Sequence, residues 1–174
     1  IVYAVVEVGY RHIDTAKLYN NEHIIGEALK ECFEKGIKRE DLCIVTKLWR
    51  EDMHDVEGSL KESLDRLQLD YVCLYRIHWT VTDVDWDAVE VKGPPMYEVW
   101  KNMEAVYEKG LTKSIGISNC NAMLFVDMYA GAKVKPVTNQ IENNPYLSQT
   151  KLVNFLKKFG CTTTAYTPID ASER

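Results

Sequence analysis

The feature that most constrains this chain is a regular alternation: short β-rich runs separated by amphipathic stretches from one end to the other. The candidate strands are residues 10–13, 43–47, 71–77, 114–118, 137–141 and 162–166. Between them, apolar residues recur at helical spacing. Ile25, Ala28, Leu29, Cys32 and Phe33 share one face, as do Leu60, Leu64 and Leu67. Met96, Val99, Trp100, Met103 and Tyr107 form a third set, and Leu152, Phe155, Leu156 and Phe159 a fourth. Gly36, Gly110 and Gly160 stand where helix C-termini would use a left-handed residue. Asn121 and Ser148 are placed as N-caps. Residues 79–95, rich in Asp and closed by Gly93-Pro94-Pro95, read as one long surface loop. The opening residues 1–8 read as the tail of a core helix.

Strand–helix alternation implies an α/β protein with a parallel sheet. The repeat averages roughly thirty residues, as eight βα units in a ~250-residue barrel require. A doubly wound open sheet alternates in the same way, so periodicity alone does not separate the two. The chain contains neither G-x-G-x-x-G nor G-x-x-x-x-G-K-[ST], the commonest open-sheet phosphate motifs, and this favours a (β/α)8 TIM barrel. Six strands of such a barrel are accounted for, two short of the full set, in a single domain covering residues 1–174. Six strands cannot close an eight-stranded barrel, so residues 1–174 alone are not expected to form a competent enzyme.

Composition excludes several function classes. The net charge is −5 and no stripe gathers the Lys and Arg residues, which argues against nucleic acid as a partner. No apolar run approaches the roughly 20 residues that span a bilayer. Five cysteines at irregular spacing read as reduced thiols, not as a disulfide framework. With no signal peptide in view, these features imply a cytoplasmic protein.

Polar side chains gather at the C-terminal ends of the proposed strands: Asp14, Lys47, His78, Ser118 with Asn119, Gln140, and Tyr166. In a (β/α)8 barrel all these positions converge on the face where active sites are built. Their chemistry suits carbonyl reduction. Hydride addition to a carbonyl leaves an alkoxide that must be protonated, and a tyrosine such as Tyr19 can supply the proton. A nearby ammonium favours the phenolate and makes a tyrosine a stronger acid. Lys47 is the candidate ammonium, with Asp14 as the carboxylate that holds it. His78 would orient the carbonyl oxygen through an N–H. No residue set calls for a metal.

Longer motifs carry a family resemblance. Gly9-Tyr10-Arg11-His12-Ile13-Asp14-Thr15-Ala16, followed by Tyr19, Glu22 and Gly26, resembles the first aldo-keto reductase signature. Lys113-Ser114-Ile115-Gly116-Ile117-Ser118-Asn119 resembles the second. Leu48-Trp49, Ile77-His78-Trp79, Asn139-Gln140-Ile141-Glu142 and Ala165-Tyr166-Thr167-Pro168 follow in the family's order, closest to its aldose reductase-like branch. The resemblance implies that the six strands are about strands 2–7 of the barrel, the first and last being absent, and it implies reduction of aldehydes or ketones with NADPH, NADH not being excluded. It implies a catalytic tetrad of Asp14, Tyr19, Lys47 and His78. It also implies cofactor contacts from Asp14, Ser118, Asn119, Gln140, Tyr166, Thr167 and Ile169, and substrate-pocket walls from Trp49 and Trp79. Tyr166 would stack on the nicotinamide, while Ser118, Asn119 and Gln140 would bond its carboxamide.

Five positions depart from the family pattern, two of them in one loop. Cys120 replaces an aromatic and Thr80 a proline. Asp170 and Ala171 stand in the pyrophosphate loop where Gly and Ser are usual. Arg76 replaces an aliphatic residue and shares strand parity with His78, so it should point into the barrel and need Asp14 or Glu142 as a partner. If the partner were Asp14, it would compete with Lys47. Two readings follow: a small-molecule carbonyl reductase, or a non-catalytic scaffold, regulatory or assembly protein on the same barrel. The tetrad favours the first. Arg76, Asp170 and the two missing strands favour the second. The substrate within the carbonyl class, and the oligomeric state, are left open by these residues.

Overall fold

The computed structural model describes residues 1–85 and 87–169. Its centre is one parallel sheet of six strands, β1 (His12–Asp14), β2 (Cys43–Leu48), β3 (Leu74–Ile77), β6 (Ile115–Ser118), β7 (Thr138–Glu142) and β8 (Thr162–Tyr166), hydrogen-bonded in that order. Helices α1 (Glu22–Glu34), α2 (Val56–Leu67), α3 (Met96–Glu108), α4 (Ala122–Gly131) and α5 (Thr150–Lys158) make the crossovers. A π-helical turn, Ala4–Val8, precedes β1 and buries Val5.

The sheet is curled, a six-stranded part of a (β/α)8 barrel. Asp14 on β1 accepts a hydrogen bond from Gln140 on β7 at 3.0 Å, although three strands lie between them in the sheet. On a flat sheet those strands would stand roughly 19 Å apart at the usual spacing. Among the described residues, β1 and β8 are each paired on one side only.

Register and alternation decide what fills the lumen. Val45 pairs with Leu74 and Lys47 with Arg76, Arg76 with Gly116, Ser118 with Gln140, and Gln140 with Thr164. With a side-chain period of two, these residues point inward and the intervening Ile44, Thr46, Tyr75, Ile77, Ile115 and Ile117 point toward the helices. The outward residues are nearly all aliphatic or aromatic and, with Leu29, Leu60, Leu64, Val99, Trp100 and Met103 from the helices, form the buried core. Gly26 lets α1 sit directly on α2, since a Cβ there would come within 2.5 Å of the Arg66 carbonyl oxygen. That contact is fastened by the buried Glu22, which accepts from Thr46 at 2.5 Å and from Arg66 at 2.8 Å.

Helix ends follow local chemistry. Asn121 caps α4 by accepting from the Leu124 N–H at 2.9 Å, and Gly36, Gly110 and Gly160 take left-handed φ of +92°, +75° and +71° after α1, α3 and α5. Ser148 is not the cap of α5; Gln149 holds that place in a left-handed conformation without a side-chain capping bond. Ser148 instead lies 3.0 Å from the Thr150 hydroxyl. The segment 79–95 is not wholly irregular either. It carries an antiparallel ribbon of β4 (Val84–Asp85) and β5 (Glu90–Val91).

The five cysteines are not all free thiols. Cys43 and Cys73 form a disulfide, because adjacent parallel strands bring their Cα atoms to 5.1 Å. Cys32, Cys120 and Cys161 remain free and buried. Among the described residues no helix is long and apolar enough to cross a membrane, and no cluster of His, Cys, Asp and Glu could hold a metal.

Candidate active site

The strand ends deliver Asp14, Lys47, His78, Ser118, Gln140 and Tyr166 to one face of the barrel, and a short turn after β1 returns Tyr19 over them. Lys47 is 1% exposed, so its ammonium must find acceptors inside the protein. It bonds Asp14 Oδ1, the Thr15 carbonyl oxygen at 2.8 Å and the Tyr19 hydroxyl at 3.4 Å. Nζ also lies 4.9 Å from the centre of the Tyr19 ring. This draws a carboxylate, an ammonium and a half-exposed phenol into one chain.

Arg76 enters the same cluster from below. It is as buried as Lys47 and pairs with Asp14, not with Glu142. The expected competition does not occur, because Lys47 takes Oδ1 while Arg76 and Gln140 take Oδ2. Burial pushes the Asp14 carboxyl up, but Lys47 and Arg76 outweigh it and hold it below the ordinary carboxylate value.

His78 packs edge-on against Tyr19 and Trp49, with ring centres 5.6 and 5.2 Å away. Its Nδ1 is buried without a partner, so no protein group fixes the tautomer. Burial, and then the Lys47 ammonium, push its pKa down to about 4. The imidazole is therefore neutral near pH 7 and can present an N–H or accept one. A pH effect on folding follows. As pH falls from 6.5 toward about 4, the unfolded chain binds a proton at this position and the folded chain does not. Stability should decline across that window, and His78→Gln should flatten the decline in denaturant midpoints measured from pH 7 to 4.

The remaining predicted residues divide by how free they are. Asn119 adopts φ +55°, which Asn tolerates better than most side chains, and both ends of its amide are bonded. Its Nδ2 donates to the His78 carbonyl at 2.9 Å, and its Oδ1 accepts from the Tyr166 hydroxyl at 3.0 Å. Gln140 is occupied with Asp14. Ser118 Oγ, by contrast, is buried with no partner. Tyr19, His78, Trp79, Asn119, Gln140, Tyr166 and Thr167 line one cleft of about 420 Å³. Trp79 is 44% exposed and Ile169 92% exposed. Asp170 and Ala171 lie outside the described residues.

Two departures from the family pattern have local accounts. Thr80 is buried and donates to the Asn119 carbonyl oxygen at 3.3 Å, tying the loop after β3 to β6. Cys120 is buried among apolar neighbours, which push its thiol up to about 11. Two partners were not singled out in the sequence: the Thr15 carbonyl, which accepts from Lys47, and Thr164, which accepts from Arg76 at 3.3 Å. Thr164 shares strand parity with Tyr166, a signal that could have placed it in the lumen.

Comparison with known proteins adds an outside reference. The model of the Aldo/keto reductase family matches residues 1–172. Aldo-keto reductase family 1 member A1 of Gallus gallus is 41% identical, over 97% of this chain and 56% of its own length. Aldose reductase B of Dictyostelium discoideum is 42% identical, over 92% of this chain and 57% of its own. Among solved structures, a Bombyx mori aldo-keto reductase in complex with NADP superposes with a TM-score of 0.91 at 36% identity, covering 99% of this chain and 58% of that one. The chain thus spans a little over half the length of these relatives.

Proposed function

The chain belongs to the aldo/keto reductase family, and from that premise we propose that the protein carrying it reduces aldehydes or ketones to alcohols with NADPH, through Asp14, Tyr19, Lys47 and His78. The observation that carries this reading is the linked set Asp14–Lys47–Tyr19 at the mouth of the barrel, with His78 edge-on to the phenol. Such an arrangement is what proton delivery to a carbonyl oxygen needs.

The cofactor assignment has support in the residues as well as in the NADP bound to the Bombyx mori relative. Ser118 Oγ is a buried polar atom without a partner; Ser118 pairs in register with Gln140 and precedes Asn119, both of which line the cleft that Tyr166 walls. An aromatic platform with a free hydroxyl next to it fits a flat ring bearing one polar substituent. Ser118 would bond the carboxamide and Tyr166 would bear the ring. Asn119 and Gln140 each keep a second amide N–H, and Gln140 its Oε1, with which to join the carboxamide. Thr167 and Ile169 would approach the phosphates. When bound, the reduced nicotinamide supplies the hydride.

The chain's own groups do the rest. Tyr19 donates its proton to the carbonyl oxygen as the carbon gains hydride, and a proton from solvent restores the phenol. Lys47, held by Asp14 and the Thr15 carbonyl, stabilises the negative charge left on the Tyr19 oxygen. Neutral His78 donates a hydrogen bond to the carbonyl oxygen and sets its direction. Trp49 and Trp79 present apolar walls to the substrate. Preorganised donors of this kind require no reorganisation at the moment of reaction.

Cofactor binding is the first check. Titrating the whole protein with NADPH should alter the cofactor's fluorescence as its ring meets Tyr166, and Tyr166→Ala should weaken that change. A flat titration at millimolar NADPH and NADH would remove the enzyme reading in favour of a scaffold. The whole protein is used because the described residues supply six strands of an eight-stranded barrel and span a little over half the length of their relatives, so the isolated six-stranded unit is not expected to turn over.

A further inference from the structure

Arg76 heads the largest fully buried side chains, and it lies in register with Lys47 on one side and Gly116 on the other. Gly116 packs against both neighbours: a Cβ there would stand 3.4 Å from Arg76 Cγ and, more tightly, 3.0 Å from the Thr138 carbonyl oxygen. The guanidinium spans the lumen: Nη1 meets Asp14 Oδ2, Nη2 reaches Thr164 Oγ1 at 3.3 Å, and Nε is buried without a partner.

We infer that Arg76 is a positioning residue of the proton-delivery site: it pins the second oxygen of Asp14 so that the first stays on Lys47 and Lys47 stays within reach of Tyr19. The inference rests on the proposed reduction, but its physical basis is separate. The terminal torsion of an Asp side chain lies in a broad, roughly two-fold well, so one donor on one oxygen leaves the carboxylate free to turn. Here three donors from three strands hold it: Lys47 from β2, Arg76 from β3 and Gln140 from β7. The strand that bears Asp14 is three residues long and its described neighbour is β2, whereas Arg76 and Gln140 reach Asp14 from beyond that neighbour, so the carboxylate is held from across the lumen.

Charge points the same way. A lone Asp14–Lys47 pair would be neutral, whereas Asp14 with Lys47 and Arg76 carries one net positive charge, with both cations buried. That charge favours negative charge developing on oxygen at the mouth of the barrel. The groups facing Asp14 are Lys47, Arg76 and Gln140, with Tyr19 reached through Lys47. Of these, Lys47 and Arg76 lower its carboxyl pKa.

The test uses Arg76→Met and Thr164→Val in the whole protein, with two readouts. One is steady-state reduction of an aldehyde; the other is the titration of the Asp14 carboxyl carbon followed by 13C resonance. For Arg76→Met, kcat should fall about tenfold, inside the hundredfold that a misplaced catalytic group can cost, while KM for the aldehyde stays within about twofold. The Asp14 titration should move to higher pH, since one of the two cations holding it down is gone. Thr164→Val should produce smaller changes in the same direction. Unchanged kcat and an unchanged Asp14 titration in Arg76→Met would overturn the inference. Should that variant not fold, the same two null results in Thr164→Val would overturn it. If the unmodified protein reduces no carbonyl, the proposed function fails, and the Asp14 titration alone still decides the role of Arg76.

Discussion

Replacing Tyr19 by Phe is expected to lower the turnover number for aldehyde reduction by at least about a hundredfold, because general acid catalysis contributes typically 10²–10⁴. The effect should fall on kcat more than on cofactor affinity. Phe keeps the ring that packs edge-on to His78 and under the Lys47 ammonium, and removes only the hydroxyl 3.4 Å from Nζ. Stopped-flow measurement of NADPH oxidation separates the two quantities. A Phe variant that binds cofactor normally and turns over within a few-fold of the unmodified protein would place the proton donor elsewhere.

The second large effect concerns folding. Asp14→Asn should be far more destabilising than Lys47→Met, an order that a simple ion pair would not produce. Asn at position 14 leaves Lys47 and Arg76, each 1% exposed, without their common carboxylate. Breaking a buried pair from one side costs on the order of 3–5 kcal/mol, and here two cations are stranded at once. Lys47→Met, by contrast, leaves Asp14 paired with Arg76 and bonded to Gln140. Denaturant unfolding of both variants measures the difference, and adding Arg76→Leu to Asp14→Asn should recover part of the loss. Equal destabilisation by the two single changes would mean that Arg76 does not share the carboxylate.

Much of this site could be read from the sequence because strand parity is a strong rule. Asp14, Lys47, His78, Ser118, Gln140 and Tyr166 stand at successive strand ends, and a parallel barrel brings such ends together without further information. Parity also placed Arg76 in the lumen. It could not choose between Asp14 and Glu142, because that choice depends on the curl of the sheet. The bond from Gln140 to Asp14 joins residues 126 apart in sequence and depends on the same curl.

Other features were illegible for local reasons. The Cys43–Cys73 contact needs the exact stagger of β2 and β3, which spacing of cysteines does not reveal. The β4–β5 ribbon has two residues per strand, too few for an alternating pattern to register. At the start of α5, Ser148 has the right chemistry for a cap, but the left-handed Gln149 takes the position.

On the proposed function, hydride reaches a carbonyl at this barrel face and Tyr19 delivers the proton. The most direct test is a single-turnover reaction of the whole protein with an aldehyde and NADPH carrying deuterium at the transferring position of the nicotinamide ring. The expected product alcohol carries one deuterium on its carbinol carbon, none from deuterated water at that carbon, and its signal is lost in Tyr19→Phe over the same interval. Cofactor that binds while the aldehyde is recovered unlabelled and unreduced would contradict that function.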